Sequence, residues 1–268
     1  KNMRPHIIGG NWKLQINSIS EVKIRLTQIL NDLQNKNINL SKIFIALPPA
    51  LLHIGHELFK NSKINLAAQN IYHEISGPFT GETSIITAVD LNVKYCLIGH
   101  SERRILFNET NEEINKKIHL CINHDIIPVL CIGETFEERS SGNYQTILEH
   151  QLETALKNIS KEGLKSIIIA YEPVWAINNQ LLNKDNIIKP ATPKDADQTH
   201  HIIREYLKRN YGSEIANNMQ IIYGGSMNSN NVESLLMIEN IDGGLIGGAS
   251  LSSEKLLPII ETSIKLST

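Results

Sequence analysis

Ser166-Ile167-Ile168-Ile169-Ala170-Tyr171-Glu172-Pro173-Val174-Trp175 is the stretch whose reading decides the fold. Ile167 to Ala170 are apolar with no polar residue alternating among them, which is the pattern of a strand buried on both faces of a parallel sheet. Pro173 cannot donate to a sheet ladder and holds its predecessor extended, so strand pairing stops there and a loop begins. Glu172 therefore stands at the mouth of a buried strand. With Tyr171 and Trp175 beside it and apolar chain beneath, the setting is expected to suit a general base. A lone Glu is more commonly a capping or ion-paired carboxylate, so the other strand ends must separate the two readings.

Strand-like apolar runs recur on both sides of this stretch. There are eight: His6 to Gly9, Ile43 to Leu47, Ile64 to Ala68, Tyr95 to Ile98, Ile127 to Ile132, Ile167 to Ala170, Gln220 to Tyr223 and Gly244 to Ile246. Helical patterns lie between them. Ser18-Ile19-Ser20-Glu21 reads as a capping box, followed by Val22, Leu26, Ile29, Leu30 and Leu33 at helical spacing. Leu148, Leu152, Ala155, Leu156 and Ile159 form a second apolar stripe, and Thr192-Pro193 reads as an N-cap with proline at the first helical position. Strict alternation predicts a parallel sheet. Eight units in 268 residues fit a single closed (β/α)8 barrel domain over residues 1–268 better than the alternative, an open doubly wound sheet. No G-x-G-x-x-G follows the first strand, so a dinucleotide site has no support.

Composition narrows the partner. Net charge is −2 and no block of like charge occurs, which argues against nucleic acid or an anionic membrane surface and for a small soluble partner. The longest apolar runs fall far short of the roughly 20 residues of a membrane helix. The first residues run into a strand without a signal-like apolar segment, and a cytoplasmic location is expected. Cys96, Cys121 and Cys131 are odd in number and lack C-x-x-C spacing, so neither a disulfide framework nor a zinc site is indicated.

In a barrel the active site lies at the C-terminal ends of the strands. Gly9-Gly10-Asn11-Trp12-Lys13 follows the first run and puts a cation at a strand mouth. Gly99-His100-Ser101-Glu102-Arg103-Arg104 follows the fourth. A His just before a helix start reads either as a cap or as a neutral imidazole kept so by the helix dipole and able to donate a hydrogen bond. Tyr223-Gly224-Gly225-Ser226 and Gly247-Gly248-Ala249-Ser250 follow the seventh and eighth runs, where barrels commonly bind phosphate on backbone amides.

These motifs, in this order and with Ala170 to Ile177 between them, resemble the triosephosphate isomerase family from end to end. That family is a well-known case of a Glu base working with a neutral His, so the pairing itself is not new here. The resemblance implies a proton shift between neighbouring carbons of dihydroxyacetone phosphate and D-glyceraldehyde 3-phosphate, in glycolysis and gluconeogenesis. It implies Glu172 as base, His100 as electrophile, Lys13 on the phosphate and the developing charge, and Asn11 orienting that corner. Ser226, Gly247 and Gly248 would bind phosphate, with Ser101 and Glu102 behind the site, although Glu102 has Arg103 or Arg104 as alternative partners. No metal or organic cofactor is implied. Ser76-Gly77-Pro78-Phe79-Thr80-Gly81-Glu82 resembles the loop that inserts into a partner subunit, which implies a homodimer with Thr80 reaching the partner's site.

One segment departs from the family. Its lid continues through Gly-Thr-Gly-Lys, with a backbone amide at the tip that grips phosphate. Here Asn178 to Lys189 intervene, a longer segment without glycine. The expectation is a hinge at Pro173 to Trp175 that still moves, with Leu181, Leu182, Ile187 and Ile188 packing the insertion onto the barrel or a partner.

Overall fold

Eight parallel strands pair in chain order and the eighth returns to the first, closing a barrel in the computed structural model, which describes residues 4–36 and 42–267. They are β1 (Ile7–Asn11), β2 (Ile43–Leu47), β3 (Asn65–Ala68), β4 (Val93–Ile98), β5 (Ile127–Ile132), β6 (Ile168–Tyr171), β7 (Ile221–Tyr223) and β8 (Gly243–Ile246). Closure rules out the open doubly wound sheet. All eight expected runs are strands, with no end displaced by more than two residues: β1 runs on to Asn11, β4 starts at Val93, and β2 and β5 have the expected bounds.

Strand parity divides the apolar residues into two cores. Alternate residues point to opposite faces of a strand, and Phe44, Tyr95, Leu97, Val129, Ile168, Ala170, Ile222 and Leu245 fill the barrel interior. Their neighbours Ile45, Ile98, Ile169 and Tyr171 face outward into the layer packed beneath the helices. The interior is crowded enough to need glycine: a Cβ on Gly9 would lie 2.0 Å from the Phe44 ring.

The helical stripes fall where the periodicity puts them. Val22, Leu26, Ile29, Leu30 and Leu33 are buried on helix Ile19–Gln34, and Leu148, Leu152, Ala155 and Leu156 are buried along or just after Tyr144–Ala155. The Ser18 box does not form, because the Ser18 hydroxyl meets Ser20 Oγ at 3.0 Å and caps no amide. Thr192 does cap Pro193–Tyr211, reciprocally with Asp195. No helix among the described residues is long and apolar enough to cross a membrane.

His200, on helix Pro193–Tyr211, is fully buried between that helix and the barrel. Its Nδ1 lies 2.8 Å from the Asn240 carbonyl, to which it must donate, and Nε2 has no partner among the described residues. Burial lowers its pKa to about 3. A depressed value means a contribution present above the ordinary value of 6.5 and lost as pH falls toward about 3. Wild type should therefore lose on the order of 4 kcal/mol more than His200→Gln across that window. Denaturant unfolding of both proteins between pH 7 and 3 measures this, and parallel curves would refute it.

Candidate active site

Glu172 continues the inward parity of Ile168 and Ala170 one step beyond the last residue of β6, so its side chain enters the barrel mouth. Its amide still pairs with the Ile132 carbonyl at 2.8 Å. Two glycines let the neighbouring strands approach this closely. A Cβ on Gly133 would lie 1.9 Å from the Glu172 carbonyl oxygen, and one on Gly224 would lie 2.9 Å from Glu172 Cγ.

The carboxylate is only 2 % exposed and fully engaged. Oε1 accepts the Ser101 N–H at 3.0 Å, Oε2 accepts the Ser101 hydroxyl at 2.8 Å, and His100 Nε2 stands 3.0 Å from Oε2. His100 is the N-cap of helix Ser101–Leu106, where its Nδ1 accepts the Glu102 N–H at 3.2 Å. An amide can only donate, so Nδ1 carries no proton and the ring's N–H is at Nε2, aimed into the site. The two sequence readings of His100, cap and donor, hold together: the cap assigns the tautomer that donates.

Lys13 has φ 51°, a conformation that costs a non-glycine residue about 1 kcal/mol or more. Side chains grip its backbone from both sides. Asn11 Oδ1 accepts the Lys13 N–H at 3.0 Å, and Gln69 Nε2 donates to the Lys13 carbonyl at 3.0 Å and to the Ala46 carbonyl at 3.2 Å. Nζ then meets Glu102 Oε1 at 2.9 Å. Glu102 thus serves Lys13. Arg103 pairs with Glu109, while Arg104 holds the Gly99 and Cys131 carbonyls and Asn111. Burial raises the Glu102 carboxyl, but His100, Lys13 and Asn179 outweigh it and leave it below its ordinary value.

Asn11, Lys13, His100, Glu172, Ser226, Gly247 and Gly248 line one open cavity of about 1030 Å³. A Cβ on Gly247 or Gly248 would point into empty space, so their backbone is bare toward the cavity. The amides of Ser226 and Gly247 make no backbone hydrogen bond among the described residues. Ser250 braces this wall through its N–H and hydroxyl, which donate to the Gly247 carbonyl at 2.9 and 2.7 Å. Such a wall suits an anion. No group of three His, Cys, Asp or Glu side chains among the described residues could hold a metal ion. The three cysteines are free and buried.

Tyr171 and Trp175 do not flank Glu172 as expected. Tyr171 has outward parity, and its hydroxyl and Trp175 Nε1 both donate to Glu134 Oε1 at 2.6 Å, with Arg139 at 3.5 Å. Glu134 is absent from the motifs that single out the site in sequence, although Gly133-Glu134-Thr135 follows β5 as the other motifs follow their strands. Gln69 is absent from them as well, since nothing local distinguishes an amide at the end of β3.

The lid also differs from expectation. Leu181 and Ile187 are exposed, and Leu182 and Ile188 only half-buried. The buried residue of the insertion is Asn183, within a short helical turn, Gln180–Asn183, beside helix Ser101–Leu106. Thr80 is exposed and lines neither cavity at the barrel mouth.

A closed (β/α)8 barrel that brings a carboxylate, an imidazole N–H and a lysine to one cavity at its strand C-termini defines an enzyme of acid–base chemistry on a small anion. The family model described as triosephosphate isomerase matches residues 6–263. Proteins named triosephosphate isomerase from Treponema denticola (41 % identical over 257 residues, 96 % of this chain and 98 % of that one) and Chloroherpeton thalassium (38 % over 263 residues, 97 % and 100 %) are similar throughout. One from Fusobacterium nucleatum is 39 % identical over 261 residues, 97 % of this chain and 99 % of that one. The chain belongs to the triosephosphate isomerase family.

Burial raises the Glu134 carboxyl above its ordinary value of 4.5, more than Tyr171, Trp175 and Arg139 lower it. A raised value means a contribution present below 4.5 and lost as pH rises through the folded value. Glu134→Gln keeps an acceptor for Tyr171 and Trp175 without a charge. Wild type should therefore lose melting temperature relative to this variant between pH 4 and 8, and an unchanged difference would refute it.

Proposed function

We propose that this chain interconverts dihydroxyacetone phosphate and D-glyceraldehyde 3-phosphate through an enediolate, as the names of its relatives and the composition of its cavity support. The observation that carries the reading is the convergence of Glu172, His100 Nε2–H and Lys13 Nζ on one cavity whose opposite wall offers backbone amides. Phosphate binds to the amides of Ser226, Gly247 and Gly248. Glu172 leaves Ser101 and removes the proton alpha to the carbonyl. His100 Nε2–H polarises that carbonyl and stabilises the oxyanion, with the donor oriented in advance by the helix cap. Lys13 offsets the added charge, and Asn11 keeps its backbone in place. Base and electrophile suffice for a carbon acid beside a carbonyl, so the reaction needs no cofactor.

The same proposal includes a homodimer. Leu14 and Phe107 are exposed large apolar side chains, and they share a groove of about 320 Å³ with Gly81, Glu82 and Thr83, next to Lys13 and His100. Ile75, Ile86 and Val89 add exposed apolar surface around the loop bearing Thr80. A second copy covering this face would bring its Thr80 loop to the groove. Three buried free thiols and a glycolytic reaction fit a cytoplasmic setting.

Two measurements test these readings. Glu172→Gln should lower kcat on D-glyceraldehyde 3-phosphate by about 10³-fold or more with little change in KM. Comparable turnover in the variant, or faster turnover of larger sugar phosphates by wild type, would overturn the assignment. Phe107→Asp should convert a dimer, as judged by sedimentation, into a monomer of reduced activity. A monomeric wild type with full activity would refute the dimer.

A further inference from the structure

The inserted lid segment is organised by one amide. Asn183 is 1 % exposed, although both its neighbours in the turn contact solvent. Its Nδ2 donates its two hydrogens backwards to the Val174 carbonyl at 2.9 Å and the Ile177 carbonyl at 2.9 Å, and shares one of them with the Asn179 carbonyl at 3.4 Å. Those three carbonyls are not orphans. Val174 O already accepts the Ile177 N–H, Ile177 O the Asn179 N–H, and Asn179 O the N–H groups of Leu182 and Asn183. Asn183 therefore does not rescue unpaired backbone; it ties three successive points of the lid base to one side chain. Its own Oδ1 is buried without a partner among the described residues, which is destabilising and which an apolar residue of similar volume would avoid.

The tied segment touches the site in two places. Ile177 lines the cavity together with Glu172, and it lies between two of the carbonyls that Asn183 holds. Asn179 caps the inserted turn through Oδ1 and reaches Glu102 Oε1 at 3.4 Å with Nδ2. That oxygen also holds Lys13. Where the family's lid is short and glycine-rich, this chain has a longer segment with its own internal clasp.

We infer that Asn183 is a positioning residue for the isomerisation: it makes residues 174–183 one rigid unit, which seats Ile177 over the cavity and excludes water from the enediolate. The inference rests on the proposed isomerase reading. A lid base that loses this clasp leaves the intermediate exposed to elimination. The enediolate oxygen collapses to an aldehyde carbonyl, and the C=C pair moves to the next carbon as the C–O bond to phosphate breaks. Phosphate departs with the bonding pair, and the remaining enol takes up a proton at carbon and gives up its hydroxyl proton to water, yielding methylglyoxal.

Asn183→Leu removes the amide while keeping the branching and the number of side-chain heavy atoms. Relative to wild type, kcat should fall about tenfold with KM changed less than about twofold, and the fraction of turnover released as methylglyoxal and inorganic phosphate should rise several-fold. The melting temperature should stay within a few degrees, because no carbonyl is orphaned and the unpaired Oδ1 is gone. Unchanged kcat and elimination fraction would overturn the inference. So would a lower kcat that tracks a lower melting temperature at an unchanged elimination fraction, since that is a loss of folded protein. A wild type that fails to isomerise triose phosphate would overturn the site reading first, and a working wild type beside an indifferent variant would overturn only the role of Asn183.

Discussion

The two-residue period of a β-strand is the constraint on which the site depends. Along β6 it sends Ile168, Ala170 and then Glu172 into the barrel and Ile169 and Tyr171 out toward the helices. One step of register would exchange the carboxylate for the phenol. Closure of the eight strands makes the inward direction common to all of them, so side chains from β1, β4 and β6 meet although Asn11, His100 and Glu172 are far apart in the chain.

Each of the three groups to which we assign the chemistry is held by something outside that assignment. The backbone of helix Ser101–Leu106 assigns the His100 tautomer, and Ser101 keeps Glu172 occupied at the edge of the cavity. Asn11 and Gln69 hold Lys13 in a conformation it would not adopt alone. Glu134, which touches none of the three, takes the two donors on either side of Pro173 and so ties the start of the segment after β6 to the barrel wall. At this end of the barrel Lys13, His100 and Glu172 each have a partner that fixes their direction.

The segment after β6 shows how a loop can change while the residues beneath it stay. Glycines allow a short loop to fold sharply; this longer segment folds with a helical turn and an internal amide clasp. Lys184, at φ 44°, takes up the sharp reversal after the turn. Loops tolerate insertions of this kind because closing a longer loop costs only slightly more entropy. What such an insertion must still supply is a definite shape over the cavity, which here comes from Asn183 and Asn179.

Much of this protein was determined by local sequence. Eight apolar runs with helical stripes between them specify alternation, Pro173 specifies where β6 stops, and the motifs after β1, β4, β6, β7 and β8 specify which residues stand at the mouth, because strand ends and turn chemistry are local properties. Partnership between distant side chains is not. That Glu102 serves Lys13 and not an arginine, that Tyr171 and Trp175 serve Glu134, that Gln69 braces Lys13, and that an asparagine and not the leucines organises the lid were decided by the tertiary structure. In each case more than one pairing of donor and acceptor is open to the sequence, and which of them forms is set by the directions the chain takes at the strand ends once the barrel has closed.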